Sequence, residues 1–516
     1  MKSVVYRLSE KTNQAAISGE FTSLFKIHYG RPVSKTLDYM DTFDWLLFHA
    51  GYLLYNDGGH FTIIQNLSEA VVNTIPKSAQ TSYRFWWDFP AGSFRKKLKR
   101  IIDVRALLPT ITIIKKTTPI NLLNEAEKTV VRLFLNTLEV RRKMNSYHFQ
   151  TLKVEPLRGY NQAFKKVEHL IGQSDIITGS HHDYAALLAE AGMDPHAYSS
   201  KITIQLSPEM PARDAARELL KFLLNVMRQN VDGILEDIDI EFLHDFRVAI
   251  RRTRSALSQI KGVFPEEITN QFKTDFACLG KLSNHMRDLD VYLLKKEEYQ
   301  KLIPQNLHAG LDELFNNLIT ERKREHKKLV RNLSSQKTLN ILNKWESFLY
   351  SEEPLADSPH ADDPVKQLAA GFIFKKFRKL LKSGKKITPE SPDEMLHQLR
   401  IDCKKLRYLL EFFTSLFPKE KMVVLIKHLK RLQDYLGEFN DYSVQIKSLQ
   451  ATLNRIPSTT KTFTLYSAAL GGLIAGLYVK QEATRSAFSK IFVEFSHSKN
   501  VELYHQLFNK TNKKDE

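Results

Sequence analysis

Leu243-His244-Asp245-Phe246-Arg247-Val248-Ala249-Ile250-Arg251-Arg252-Thr253-Arg254 carries four cationic or ionisable side chains, His244, Arg247, Arg251 and Arg254, at spacings of 0, +3, +7 and +10. On a helix these fall within an arc of roughly 80° over roughly 15 Å of axis. Like charges stacked this closely repel, so an isolated helix gains nothing from them. The stretch recurs as Leu396-His397-Gln398-Leu399-Arg400-Ile401-Asp402-Cys403-Lys404-Lys405-Leu406-Arg407, where His397, Arg400, Lys404 and Arg407 repeat the face. The register persists beyond the motif. Leu257 matches Leu410, Phe264-Pro265 matches Phe417-Pro418, Glu267 matches Glu420, Asp288 matches Asp441 and Val291 matches Val444. Constant spacing over about fifty residues without a net gap marks a duplicated unit.

The repeat belongs to the helical part of the chain. From Ser207 onward the apolar period is helical, with Ala215 to Val231 entered through Pro208 and Pro211. Asp239 and Glu241 open the first motif helix, and Gly262 and Pro265 stop it. Ser391-Pro392-Asp393-Glu394 reads as a capping box for the second, which Pro418 ends. Leu311 to Leu333 reads as a long basic helix. Ser351 to Asp363 is acidic and reads as a linker between the halves. Phe374 to Lys386 carries seven basic residues and no acid, and reads as a solvated face, as does the run Lys323, Arg324, Lys327 and Lys328. Leu465 to Val479 is nearly apolar but short for a bilayer, and its glycines suggest a closely packed buried helix without membrane insertion.

Residues 1–205 read as β-rich. Tyr52 to Tyr55 and His60 to Ile64 flank Asn56-Asp57-Gly58-Gly59, a hairpin signal. Thr110 to Ile114, Val130 to Leu135, Tyr147 to Val154 and Lys201 to Leu206 are further strand candidates, and Gly159 to Ile171 is helical. The expected architecture is therefore α+β and multidomain. It has a β-rich domain at 1–205 and a duplicated all-α helical domain with pseudo-two-fold symmetry at 206–516. The halves of the latter are 206–350 and 364–516, joined by the linker 351–363.

Across 516 residues, 76 Lys and Arg oppose 58 Asp and Glu, a net +18, so the expected partners are anionic. Two cysteines without metal or disulfide spacing suit a reducing compartment, and the first residues lack the apolar core of a signal peptide. The expected localisation is cytoplasmic. Neither motif histidine has a neighbour at metal-ligand spacing, so no metal, cofactor or catalytic residue is expected there. The histidines read as extra phosphate donors. Asp288 and Asp441 read as structural, and the adjacent pair in His181-His182-Asp183 as unlike a metal site.

With Arg287-Asp288-Leu289-Asp290-Val291 and Asn440-Asp441-Tyr442-Ser443-Val444 read as turns following the two basic helices, the region 207–516 resembles a CHAD domain, the conserved histidine α-helical domain. The resemblance implies inorganic polyphosphate held in a basic groove, and association with polyphosphate granules. The residues implied are His244, Arg247, Arg251, Arg252, Arg254, His397, Arg400, Lys404, Lys405 and Arg407, while Lys427, Lys430 and Arg431 read either as an extension of the groove or as a solvated helix face. Tyr39-Met40-Asp41-Thr42-Phe43-Asp44-Trp45, Gly51-Tyr52 and Pro156-Leu157-Arg158-Gly159-Tyr160 are similar to segments of the CYTH, or triphosphate-tunnel, family. That family's Glu-x-Glu-x-Lys positions hold Ser3, Val5 and Arg7 here. Tyr55 and Asp57 stand where alternating arginines belong, and Glu155 alone remains of a late acidic strand. Metal-assisted triphosphate hydrolysis needs such carboxylates, so a degenerate, non-catalytic tunnel domain is expected. The alternatives are a metal-dependent triphosphatase or polyphosphatase in the N-terminal domain, and an adaptor for nucleic acid or anionic surfaces. The motif faces hold few aromatic rings, whereas single-stranded nucleic acid favours stacking platforms.

Overall fold

The structure, a computed structural model, describes residues 3–9, 12, 14–66, 70–78, 82–142, 145–180, 184–351, 358–456 and 463–509. The chain divides into two compact units, Met1–Ser199 and Ser200–Glu516. His181-His182-Asp183 and linker residues 352–357 lie outside the described residues.

The first unit is an antiparallel sheet of ten strands: β1 Val4–Leu8, β2 Lys26–Tyr29, β3 Val33–Asp41, β4 Tyr52–Asn56, β5 His60–Gln65, β6 Val71–Pro76, β7 Leu108–Leu123, β8 Thr129–Arg142, β9 Asn145–Pro156 and β10 Ile177–Ser180. The order is β10-β1-β9-β8-β7-β3-β4-β5-β6, with β2 lying along the same edge of β7 as β3. Helices α1 Gln14–Phe21, α2 Leu46–His49, α3 Ser93–Ile102, α4 Asn161–Gly172 and α5 Tyr184–Glu190 cover it. Side-chain alternation divides the sheet into two faces. One packs Leu133, Leu152 and Val154 against Phe21, Phe164 and Val167 of α1 and α4. The other packs Ile113, Leu138, Val140 and Phe149 against Tyr184, Leu187 and Leu188 of α5. The hairpin at Asn56 to Gly59 forms as expected. Lys201 to Leu206 does not form a strand; it finds no ladder, and the Leu206 N–H donates instead to Ser415 Oγ at 3.1 Å.

The second unit holds thirteen described helices: α6 Ala212–Leu235, α7 Ile240–Gln259, α8 Glu266–Leu282, α9 Asn284–Leu294, α10 Lys296–Gln300, α11 His308–Leu333, α12 Gln336–Tyr350, α13 Val365–Gly384, α14 Asp393–Phe412, α15 Lys419–Leu453, α16 Phe463–Ser486, α17 Phe488–Phe495 and α18 Ser498–Phe508. The offset of the sequence repeat reappears in the helix ends. Ala212 and Val365 open α6 and α13, Ile240 and Asp393 open α7 and α14, Glu266 and Lys419 open α8 and α15, and Leu333 and Ser486 close α11 and α16. A local two-fold axis passes between Pro211 and Pro364, equivalent residues that face each other in an antiparallel bridge. Around it Ala212 N–H donates to Asp363 O at 2.9 Å, and Val365 N–H to Met210 O at 3.0 Å.

Three local details differ from expectation. Ser391 does not cap α14, because its Oγ accepts from Thr388 N–H at 2.9 Å; the helix starts after Pro392 without a side-chain cap. The segments following Arg287 and Asn440 are helical rather than turns, lying in α9 and α15. Finally, α16 is long and apolar enough to cross a membrane by length and composition, yet it is buried on one face only. That face joins a core with Leu311, Leu314, Phe315 and Ile446, and a Cβ placed on Gly310 of α11 would meet the Leu465 carbonyl at 2.4 Å.

Candidate functional site: a cationic face shared by two repeated helices

The helices α7 and α14 owe their starts to different chemistry. Asp239 Oδ1 accepts from Glu241 N–H at 2.9 Å and caps α7, satisfying one free donor of its first turn. In α14 Pro392 leads in, with Asp393 and Glu394 in the first turn, where the helix dipole favours acids. Their apolar stripes, Phe242, Phe246, Ala249, Ile250 and Leu257 on α7 and Leu396, Leu399, Cys403, Leu406 and Leu410 on α14, are buried. That burial fixes where the basic stripes point.

The two helices cross antiparallel. Gln259 Nε2–H donates to Lys405 O at 3.1 Å, and Arg252 Nη2–H to Glu411 Oε2 at 2.9 Å. Arg251 and Lys404, equivalent in the repeat, thereby come close enough to act on one another's charge. Burial, then the like charges of Arg400, Arg251 and Arg407, push the Lys404 ammonium down to about 8, with Asp441 opposing. Burial likewise lowers Arg400; Asp441 opposes this and Arg251 adds to it. Burial and then Arg251 bring Arg247 down to about 10. Cations that depress one another in a half-buried site favour a bound polyanion, which would relieve both burdens.

Neighbouring side chains orient the stripe. Arg247 Nη1–H reaches Gly280 O at 3.2 Å, Ser283 Oγ at 2.8 Å and Asn284 Oδ1 at 2.9 Å, at the break between α8 and α9. The other copy has no such break, since α15 runs through, and there Arg400 instead faces Asp441 at 3.5 Å. His397 Nδ1 lies 2.6 Å from Asn440 Oδ1. Arg407 pairs with Glu411 at 3.5 Å, while the side chains of Arg251, Arg254 and Lys404 enter no hydrogen bond or ion pair among the described residues. The Asp288 carboxyl is raised by desolvation and restrained by Arg247, His285 and Arg287, although the residue as a whole stays exposed. Asp288 and Asp441, expected to be structural, both stand at exposed positions. Between the two copies, Asp288, Tyr292, Arg400, Asn440, Asp441 and Arg455 line a cleft of about 610 Å³. His285, which has no part in the repeat motif, lines it too and lies 2.8 Å from Glu321.

Several expected groove residues lie elsewhere. Arg252 is bound to Ser200 O at 2.6 Å and to Glu411, leaving its side chain 11% exposed, so it fastens helices together. Lys405 turns toward α13, beside Lys376. Exposed Arg431 pairs with half-buried Glu494 on α17. Lys427 and Lys430 are exposed on α15 and share roughly the phase of Asp441 on that helix. His244 has carboxylates close by after all: its ring and the carboxylates of Glu241 and Asp245 lie within 4.8 Å of one another. Glu241 also faces Arg287 at 3.5 Å, so this cluster reads as part of the ion-pair network.

In the first unit, Val5 and Arg7 pair with Lys153 and Thr151, which puts Glu155 on their side of the sheet. Arg7 is bound by Glu190 of α5 and lies over the Phe149 ring at 5.4 Å. Farther along, the same face is filled by Tyr184, Leu187 and their apolar neighbours. The Asp-Thr-x-Asp segment is a helix cap. Asp41 accepts from Thr42, Leu47 and Phe48 N–H at 2.7–2.9 Å, and burial raises its carboxyl to about 7.

Comparison with known proteins bears on the helical unit. Residues 218–450 match the family model of the CHAD domain. A crystal structure of the CHAD domain from the plant Ricinus communis is similar at 23% identity and a TM-score of 0.49, over 58% of this chain and 96% of that one. PptA from Streptomyces chartreusis is similar at 17% identity and a TM-score of 0.44, over 55% and 99%. Among curated proteins no match is found. The duplicated helices that bring Arg251 against Arg400 and Lys404 lie within the stretch that matches the CHAD-domain model.

Proposed function

We propose that the helical unit binds inorganic polyphosphate along the face shared by α7 and α14, and that the protein is a cytoplasmic binding protein recruited to polyphosphate granules. The observation that carries this is the crowding of Arg251, Arg400 and Lys404 from two helices into one half-buried patch. Arginine forks suit phosphate oxygens, and the scarcity of aromatic rings on these helix faces disfavours bases. The test is affinity for polyphosphate of defined lengths beside RNA, DNA and nucleoside triphosphates. Long polyphosphate is expected to displace nucleic acid and to bind with a steep salt dependence. A slope of about −0.7 per phosphate contact is known for single-stranded nucleic acid. A nearly flat salt titration, or RNA displacing polyphosphate, would overturn the reading.

Lys404 adds a pH signature. Its ammonium is held at about 8, and a polyanion beside it raises that value, so binding takes up a proton. Affinity should therefore be greatest below pH 8 and fall as pH rises through it, by at most about tenfold per unit. Lys404→Arg should flatten this fall. Stability of the free protein has the opposite sign: the unfolded lysine binds more protons above pH 8, so this group's contribution rises with pH there.

The N-terminal unit, in this reading, performs no triphosphate chemistry. Glu155 shares its sheet side with Arg7 and Lys153, the acid that meets Arg7 is Glu190 in an ion pair, and α5 fills the sheet face beyond them. Triphosphate incubated with magnesium or manganese should release no phosphate above background. Turnover that disappears in Glu155→Gln would establish the enzyme alternative instead.

A further inference from the structure

The seven basic residues at 375–386, on α13 and the turn after it, have no counterpart in the other half of the repeat. At the repeat offset, Lys375, Lys376, Arg378, Lys379, Lys382, Lys385 and Lys386 correspond to Phe222, Leu223, Asn225, Val226, Gln229, Asp232 and Gly233. The helix α6 fills the equivalent position without a single cation at these sites, so the fold does not require the charge. Lys375, Arg378, Lys382 and Lys385 are exposed and fall within an arc of roughly 80° along α13. Around Gly371, Lys375, Arg378, Lys382 and Lys385 runs an open depression of about 750 Å³. None of these four cations forms an ion pair among the described residues.

The helix that carries the patch packs against α14. Lys379 Nζ lies 3.2 Å from buried Asp402 of α14, three residues before Lys405. The Lys405 carbonyl in turn accepts from Gln259 at the end of α7. Lys405 lies on the α13 side of α14, near Lys376, which also feels the charges of Lys379 and Lys261. Phe374, the aromatic ring at the patch edge, is half-buried and engaged edge-on with His505 at 4.9 Å, which leaves no platform for stacking bases.

We propose that α13 carries a second polyphosphate track, formed by Lys375, Arg378, Lys382 and Lys385, which takes the part of a long chain that leaves the α7–α14 face past Lys405. This rests on the reading of that face as a polyphosphate site. The track would make affinity depend on chain length, since one chain occupying both surfaces gains effective concentration at the second.

The test compares wild type with the triple variant Arg378→Gln/Lys382→Gln/Lys385→Gln, using tripolyphosphate and long polyphosphate as probes, with anionic vesicles and RNA as further arms. Tripolyphosphate affinity should be unchanged, because the α7–α14 face is intact. Long-chain affinity should fall by at least about tenfold, and the logarithmic salt slope should shrink by about 2, as expected for three lost phosphate contacts. Gly371→Lys should tighten long-chain binding, since a Cβ at Gly371 meets nothing within 4 Å and the new cation joins the track. Long-chain binding equal to wild type in the triple variant would overturn the track and leave the α7–α14 site standing. A triple variant that loses only vesicle or RNA binding would also overturn it, by identifying a different ligand. Failure of wild type to bind either polyphosphate would overturn the underlying site as well. Thermal melting should be unchanged in the triple variant, whose replaced side chains are exposed.

Discussion

Arg251→Glu and Lys404→Glu are each expected to weaken binding of long polyphosphate by at least about a hundredfold, roughly 2.7 kcal/mol. Each reversal removes a cation and places an anion where the other copy's cations converge, so attraction turns to repulsion on both sides of the two-fold axis. Because the site draws on both halves, neither half should rescue the other on long chains. Tripolyphosphate, small enough to rest on one half, should respond unequally to the two variants. Folding should survive, since the stripe contributes little to the core and loses like-charge crowding. Affinity against chain length, with thermal melting as control, checks this. One variant binding long chains like wild type would break the single-site account, and early melting of both would make the stripe a structural feature.

Arg322→Ala should destabilise the protein by about 3–5 kcal/mol, the range for breaking a buried ion pair from one side. Asp290, the second aspartate after Arg287, is fully buried and accepts from Arg322 Nε at 2.7 Å. Arg322 also grips Asp237 through both terminal nitrogens at 2.8 Å, holding the turn between α6 and α7, where Asp237 has a positive φ of 50°. Removing the guanidinium leaves the Asp290 carboxylate desolvated and alone. Asp290→Asn should cost less, because a neutral amide is cheaper to bury than an unpaired charge. Urea denaturation of the two variants gives the comparison; a loss under about 1 kcal/mol for Arg322→Ala would mean that this aspartate is not anchored as described.

Helical periodicity made the two basic stripes readable, and the unbroken offset made the two-fold arrangement readable, because both depend on sequence spacing alone. The same arithmetic sets Arg252 and Lys405 about 100° away from Arg251 and Lys404. Their departure from the shared face was therefore legible, and grouping them by charge type obscured it. The partner that claims Arg252, Glu411, comes from 159 positions away, a distance no local pattern reports. The break between α8 and α9 was hidden for a similar reason: it depends on Arg247 supplying hydrogen bonds to Gly280 and Ser283 from another helix. In the first unit the strands were visible from their β-branched runs. Nothing local in Tyr184 to Glu190 announced that α5 would pack onto the sheet face beside Arg7. The distinction between a solvated basic helix and a built one came from comparing α13 with α6, whose aligned positions carry no positive charge.

The most direct measurement is the rate at which Lys404 is acetylated at pH 8, read by mass spectrometry with and without saturating long polyphosphate. Lys404 should react readily in the free protein, since about half of it is the neutral amine at that pH. It should be strongly protected when polyphosphate binds, and the protection should be lost in Arg251→Glu, although Arg251 lies on the other helix. An unchanged Lys404 rate under saturating polyphosphate, or protection that persists in Arg251→Glu, would contradict a single site built from α7 and α14.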